Sequence, residues 1–443
     1  MKNRSRLIFL LSLAVKLTFA ALIIWRFGFD AHFTDNDSGQ YLTAGINLFQ
    51  HGVFSTNLSS PFLPTMFRTP IYSIFLAINF FLFGKFWVLS VYILQGLSMS
   101  LAALFLYHNL KNTISEKSAF WCAVLFAVEP FSNFISNVVT PDSFFAVLIL
   151  VGVLCFWNFI RNGRRSDLAI SAVFLAVATL VKPISQFLPL VLVVFLIFIL
   201  KKNHVLAAST LKQALLYLLI FLAVIFPWVL RNKIVFKSWG ITSLPSYNIY
   251  FYNAATLVAA ENKIGTGQAQ QLLLEKAQKD TGAKDQNGLF DPKYSGYLRS
   301  SAFKIILSHK LEYLKLHILT LGPFFINDGY GKIYPLFGLK LHNDQSITLL
   351  LSRGDFLDAK NYIFNRKNID LVLFGIGKLL WFVIYAFIIR QLYKLWKEKD
   401  RSRLLNFTFF SLIILYFALL TGPVAAASYR MPVQAFIFIL LFI

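Results

Sequence analysis

Long apolar runs separated by short polar clusters, most of them basic, set the pattern of this chain. A helix needs about 20 apolar residues to cross a hydrocarbon core about 30 Å thick. The pattern therefore predicts an all-α polytopic membrane protein with ten transmembrane helices. The first is Leu7–Phe27. The others lie near 86–107, 118–136, 142–160, 167–181, 184–200, 212–230, 369–390, 404–422 and 432–443. Two further apolar stretches, Pro70–Gly84 and Leu311–Phe325, are read as interfacial or re-entrant helices on the outer face. A crossing at the first would flip the side of every later loop, and the second lies between two segments that are both external.

Charge sets the sides. The loops 1–6, 108–117, 161–167, 201–212 and 390–403 hold seventeen Lys/Arg and four acids, whereas the short loops 130–141 and 423–430 hold Arg430 as their single basic residue. Cytoplasmic loops carry such an excess of Lys and Arg. Both termini then fall in the cytoplasm. Lys2, Arg4 and Arg6 precede an apolar run that is too long for a cleaved signal peptide and lacks a small-residue cleavage site, so it reads as a retained signal anchor.

Three parts follow from this layout. Residues 1–230 form an N-terminal transmembrane module whose first outer loop, 28–85, carries most of the candidate chemistry. Residues 231–368 form an extracytoplasmic region rich in Lys, Gln, Asn, Gly and Tyr, with Gln268–Lys279 read as an exposed helix. Residues 369–443 hold the C-terminal transmembrane helices. No internal repeat is visible.

Composition narrows the classes. Of 443 residues, 57% are hydrophobic and only 14% charged, too few to give a water-soluble fold of this length its surface. The basic residues behind the net charge of +22 sit mostly in short clusters between apolar runs, as expected of cytoplasmic loops, so no nucleic-acid partner is expected; the partner is the lipid bilayer. Cys122 and Cys155 both lie inside apolar runs, without metal-ligand spacing, and read as buried small hydrophobes.

Ionisable residues gather at the outer ends of the spans. Asp37 and Tyr41 stand four apart and share a face if the segment is helical; Asp37 reads either as a helix N-cap or as an acid able to bind a cation or take a proton. Arg68 precedes Thr69-Pro70-Ile71-Tyr72, where proline reads as a helix start and Arg68 as an interfacial anchor. Asp142 follows Thr140-Pro141, a capping position on the same face of the membrane as Asp37. Lys182-Pro183, Arg231-Asn232 and Arg430-Met431-Pro432 place cations on the outer side, against the positive-inside trend. They either snorkel to headgroups or bind an anionic group such as a lipid phosphate.

In order, these motifs are Asp-x-x-x-Tyr with Asn-Leu-x-x-His-Gly-x-Phe-Ser, Arg-Thr-Pro-x-Tyr, Thr-x-Asp, Lys-Pro, Pro-Trp-x-x-Arg-Asn and Tyr-Arg-x-Pro. Together they resemble the C-type (GT-C fold) glycosyltransferases, in the branch of the protein O-mannosyltransferases and the lipid A aminoarabinose transferases. The likeness runs from Leu7 to Phe442. It implies a membrane enzyme that takes a sugar from a polyprenyl-phosphate-linked donor on the outer face of a bacterial cytoplasmic membrane. The acceptor is left open among protein, lipid and glycan.

The resemblance maps the family's catalytic carboxylate onto Asp37. Ser38 follows where many relatives have an acid, so a second acid would be Asp35 or Asp142. Phe67-Arg68-Thr69-Pro70 stands where aminoarabinose transferases have Glu-Lys-Pro-Pro, so their metal-binding Glu has no counterpart here. No metal ligand is assigned, and a divalent cation is the one cofactor left open. Asp37 and Asp142 are thus the candidate catalytic residues. Arg68, Lys182, Arg231 and Arg430 are the candidates for the donor phosphate, and Asp35, Tyr41 and Tyr72 for substrate binding. Polyprenyl phosphate is a good leaving group, so the main needs are a base for an acceptor hydroxyl and cations for the developing phosphate charge. A single displacement would invert the anomeric carbon, and a phosphate acceptor would need no base. The competing classes are a lipid or sugar transporter or flippase, and an O-antigen ligase or polymerase-like enzyme. Against the first stands the lack of an inverted repeat; against the second, the early Asp-x-x-x-Tyr loop.

Overall fold

The computed structural model describes residues 2–28, 37–202, 208–339, 347–364 and 368–443. The N-terminal part holds α1 (Lys2–Phe27), α2 (Ser38–His51), α3 (Pro70–Phe83), α4 (Trp87–Leu110), α5 (Glu116–Val128), α6 (Pro130–Ile135), α7 (Asp142–Asn162), α8 (Arg165–Val181), α9 (Leu188–Lys202) and α10 (Ala208–Phe236). The middle region holds α11 (Leu244–Asn248), a π-helical turn (Ile249–Ala254), α12 (Ala255–Glu261), α13 (Thr266–Thr281), α14 (Ser295–Ser308), α15 (Lys310–Ile326), α16 (Ile347–Arg353) and α17 (Phe356–Phe364). The C-terminal part holds α18 (Asn368–Glu398), α19 (Arg401–Thr421), α20 (Ala427–Arg430) and α21 (Gln434–Leu440).

Local chemistry sets several of these boundaries. Ser115 caps α5 by accepting from the Ser118 amide, and Asp400 caps α19 through the Arg403 amide. The expected span 118–136 is interrupted at Glu129-Pro130. Proline removes a backbone donor there, and the Glu129 carboxylate caps the new helix α6 by accepting from the amides of Phe131 (3.2 Å) and Ser132 (2.7 Å). Gly84, at φ +51° and ψ −125°, breaks the apolar stretch between α3 and α4.

Among the described residues, six helical stretches are long and apolar enough to cross a membrane: Asn3–Phe27, Pro70–Leu110, Asp142–Asn162, Leu211–Phe236, Leu371–Glu398 and Arg401–Thr421. Pro183–Ile199 is apolar but shorter. The expected spans near 118–136, 167–181 and 432–443 correspond to the shorter helices α5, α8 and α21, and α21 is buried along its whole length.

Two ends of the helical bundle are distinct. At one, Arg4 pairs with Glu116 (3.2 Å), Ser5 Oγ meets His108 Nε2 (3.2 Å), and Arg161 Nη2 donates to the Asn112 carbonyl (2.9 Å). Helix α4 has 24 residues and spans about 36 Å at about 1.5 Å per residue. It finishes at this basic end, so its start and the preceding α3 lie toward the other end, where Asp37 and Arg68 are found. One large apolar core joins the long helices, and a second, built on Tyr247, Tyr250, Phe251, Leu273, Leu289 and Leu298, organises the middle region. Phe67 belongs to that second core, which places the middle region directly beside Arg68.

Candidate active site

Asp37 occupies the N-cap position of α2, yet its side chain makes no capping hydrogen bond. Its carboxylate Oδ1 instead accepts from Arg68 Nη2 at 2.6 Å. The two partners differ in access: the Asp37 side chain is 57% exposed and that of Arg68 only 6%. Arg68 Nε donates to Gln40 Oε1 (2.8 Å), and its guanidinium lies over the rings of Tyr41 (5.1 Å) and Phe67 (5.0 Å). Burial opposes the charge on Arg68, but Tyr41 and Asp37 outweigh it and raise its pKa above the ordinary arginine value. The outcome is a fixed, buried cation holding one oxygen of a solvent-accessible acid.

A second pair repeats the theme. Asp142 opens α7, and its Oδ2 accepts from Thr140 Oγ1 (2.6 Å) while its Oδ1 accepts from Lys182 Nζ (2.6 Å). Here the acid is the hidden partner, 7% exposed against 25% for Lys182. Lys182 ends α8 in extended backbone (φ −139°, ψ 118°), the conformation that a following proline imposes. Burial works against the lysine charge, and the hydrogen-bonded Asp142 carboxylate overrides it, so the Lys182 pKa lies above its usual value.

Backbone ties bring the pairs together. Thr69, next to Arg68, donates its hydroxyl to the carbonyl of Val181, next to Lys182, at 2.8 Å. Ser38, next to Asp37, donates to the carbonyl of Val139 in the loop that leads to Asp142. Between the pairs lie Tyr41 and Tyr72, both buried, with ring centroids 5.4 Å apart edge to face. The Tyr72 hydroxyl is engaged with Gln95 Oε1 at 3.0 Å. Tyr41 lies within electrostatic reach of both Arg68 and Lys182.

Two further tyrosines complete the surroundings, Tyr252 outside every motif and Tyr429 within Tyr-Arg-x-Pro. Tyr429, on α20, lies over Lys182 with Nζ 5.9 Å from its ring centroid. Its pKa is raised by burial, with Lys182 opposing and Asp142 and Asp37 adding to the rise. Tyr252, in the π-helical turn, is 40% exposed, and its pKa is raised by burial and by Asp37. Single π-helical turns inside α-helices are frequent at functional sites. The sequence signal that could have found this residue is the tyrosine-rich run Tyr247–Tyr252.

The other expected cations stand apart from the two pairs. Arg231 Nη1 donates to the Thr65 carbonyl (2.7 Å) and lies over Trp228, 4.9 Å from its ring centroid. It borders a groove of about 600 Å³ with a largely apolar lining that includes Phe54, Pro70, Ile74, Leu180 and Val224. Pro70 and Leu180 are each two residues from a site cation, Arg68 and Lys182. Arg430 is not brought to this site. It is 1% exposed, donates to the carbonyls of Phe324 (3.0 Å) and Phe325 (2.7 Å), and stacks 3.6 Å from the Trp381 ring centroid. Asp35 lies outside the described residues.

Among the described residues no cluster of three or more His, Cys, Asp or Glu could hold a metal ion. Of the described acids at the site, Asp37 and Asp142 each already face a cationic side chain.

Residues 67–230 match the family model of the dolichyl-phosphate-mannose-protein mannosyltransferases. Arg68, Asp142 and Lys182 fall inside that stretch; Asp37, Arg231 and Arg430 fall outside it. No curated protein matches the chain. Among solved structures, the apo oligosaccharyltransferase of Archaeoglobus fulgidus is similar at 13% identity and a TM-score of 0.48, over 97% of this chain and 50% of that one. The oligosaccharyltransferase AglB from the same organism, in complex with an inhibitory peptide and a dolichol-phosphate, is similar at 15% identity, with the same TM-score and coverage. The chain spans about half the length of these structures. Over residues 67–230 it is glycosyltransferase-like, as the motifs led us to expect.

Proposed function

We propose that this chain is a membrane glycosyltransferase. It moves a sugar from a polyprenyl-phosphate donor to an acceptor hydroxyl at the outer face of the bilayer. The observation that carries this reading is the pairing of an exposed, uncapped carboxylate, Asp37, with a buried and pre-positioned guanidinium, Arg68. A second acid–cation pair is tied alongside through Thr69 and Val181. The family match over residues 67–230 supports the same reaction class and a lipid-phosphate donor.

Each group then has a task. Arg68 holds Asp37 Oδ1, leaving Oδ2 to take the proton of the acceptor hydroxyl. The acceptor oxygen forms a bond to the anomeric carbon as the bond from that carbon to the phosphate oxygen breaks, and the electron pair departs on the phosphate. Displacement from the opposite face inverts the anomeric centre. Arg68 and Lys182 oppose the charge that grows on the departing phosphate, the kind of fixed electrostatic help that usually dominates such barriers. Asp142 keeps Lys182 charged and in place. The groove beside Pro70 and Leu180 offers the isoprenoid chain an apolar bed leading to these cations, with Arg231 at its border. Tyr252 and Tyr429 present faces suited to a sugar ring.

The test is a turnover assay. The purified chain, reconstituted in phospholipid bilayers, is supplied with polyprenyl-phosphate mannose and a panel of other polyprenyl-phosphate sugars. Release of free polyprenyl phosphate coupled to a glycosylated product supports the proposal. Recovery of every donor intact, including donor moved across the bilayer without bond cleavage, contradicts it.

A further inference from the structure

The middle region carries an apolar edge that its own core does not use. On α14 the residues Leu298, Ala302 and Ile306 are buried, and on α15 so are Leu316, Thr320 and Phe324. Yet other faces of these two consecutive helices expose Phe303 (44%), Leu307 (68%), Leu311 (73%), Leu314 (55%) and Ile318 (58%). Spacings of three and four residues put Phe303 and Leu307 on one face of α14, and Leu311, Leu314 and Ile318 on one face of α15. Five large exposed apolar side chains on two consecutive helices are more than a water-facing surface ordinarily carries. Helix α15 has 17 residues, begins with Lys310 and Glu312, and has one side packed in the protein, so it is not a spanning helix.

The edge is continuous with the lipid-facing surface of the bundle. His317 on α15 meets the carbonyl of Leu419 on α19 at 2.9 Å. Around that contact Leu415, Leu419 and Leu420 are exposed by about half, as are Val372 and Ile376 near the start of α18. Arg299, Lys304 and Lys310 are exposed on the same two helices. An apolar face flanked by basic residues is the pattern of a helix lying in the interface beside anionic headgroups.

We propose that α14–α15 is an in-plane membrane anchor. Its Phe303–Ile318 edge is immersed in the acyl chains of the leaflet on the Asp37 side, and its basic residues rest among phosphate headgroups. Helix α14 shares, through Leu298 and Ala302, the core that holds Tyr247, Tyr250 and Phe251, so the anchor fixes the height of the Tyr252 turn above Asp37 and Arg68. This inference stands independently of the transferase reading.

Cys122 and Cys155 are buried, so single surface cysteines can be labelled selectively. Leu311→Cys, Leu314→Cys and, as a water-facing control on α13, Lys276→Cys would each carry a bimane label. The full chain is placed in nanodiscs of phosphatidylethanolamine and phosphatidylglycerol doped with acyl-chain doxyl lipid. The anchor predicts doxyl quenching and loss of aqueous iodide quenching at 311 and 314, with the reverse at 276. Iodide quenching at all three positions overturns it. So does shielding from iodide without doxyl quenching, the result a second copy or another protein covering the edge would give. The unsubstituted chain provides a parallel reading. A photoactivatable phospholipid should crosslink to the peptide containing Lys310–Ile318, and absence of that adduct, with adducts on α18 and α19 present, counts against the anchor.

Discussion

At the residue scale the decisive contrast is between Asp37 and Asp142. Both stand at helix starts, where sequence alone offers capping as an explanation, and neither carboxylate serves as the N-cap of its own helix. Sequence could mark them as acids on one membrane face; which cation each meets depended on residues 31 and 40 positions away. Tyr252 carried only the weak signal of a tyrosine-rich run, whereas Tyr429 and Arg430 share one motif, of which Tyr429 lies over Lys182 while Arg430 is bonded to α15 carbonyls. Removing one member of a buried ion pair is costly, so Lys182→Met should lower unfolding stability by about 3–5 kcal/mol. Adding Asp142→Leu should restore most of that loss without restoring transfer; thermal unfolding and turnover measured on the two variants separate these effects. Because the folded Lys182 pKa is raised, the stability it contributes is complete below the unfolded lysine value of about 10.4 and is lost as pH rises through the still higher folded value. Denaturation curves should thus show no contribution from this pair to any change between pH 6 and 9, a window compared directly in wild type and the double variant. At the Tyr252 ring, Tyr252→Ala should raise the donor KM by roughly tenfold, and Tyr252→Phe by much less, because the face rather than the hydroxyl does the holding.

At the scale of elements, the crossing of α2 and α3 sets the site, because Asp37 precedes one helix and Arg68 lies just ahead of the other. Gly45 makes that crossing close: a Cβ there would sit 2.1 Å from the Ser73 carbonyl oxygen. Gly45→Val should therefore cost about 1–3 kcal/mol of stability through overpacking and reduce transfer further by parting Asp37 from Arg68. Gly267→Ala, where a Cβ meets nothing within 4 Å, should do neither. Most helices were legible in the apolar runs: 142–160 became Asp142–Asn162, 167–181 became Arg165–Val181, and Gln268–Lys279 lies within Thr266–Thr281. The interruption of 118–136 was written in Glu129-Pro130 but was masked by the hydrophobicity around it. The π-helical turn had no periodic signature at all, since it arises from packing of the middle region.

At the scale of the whole molecule, a basic end and a site end are separated by the length of the bundle. If the basic end is cytoplasmic, Arg164→Cys should react with a membrane-impermeant maleimide only in inverted vesicles, and Ser238→Cys only in intact cells; the opposite pattern would reverse the orientation. The central claim is that Asp37 is the base of a sugar transfer, and it is tested most directly in a strain lacking the gene. Mass spectrometry of its envelope glycans, lipids and proteins identifies the missing sugar increment. The strain is then complemented with wild type or with Asp37→Asn at equal abundance and thermal stability. The account predicts that wild type restores the increment and Asp37→Asn leaves it reduced by at least about a hundredfold; full restoration by Asp37→Asn would contradict it.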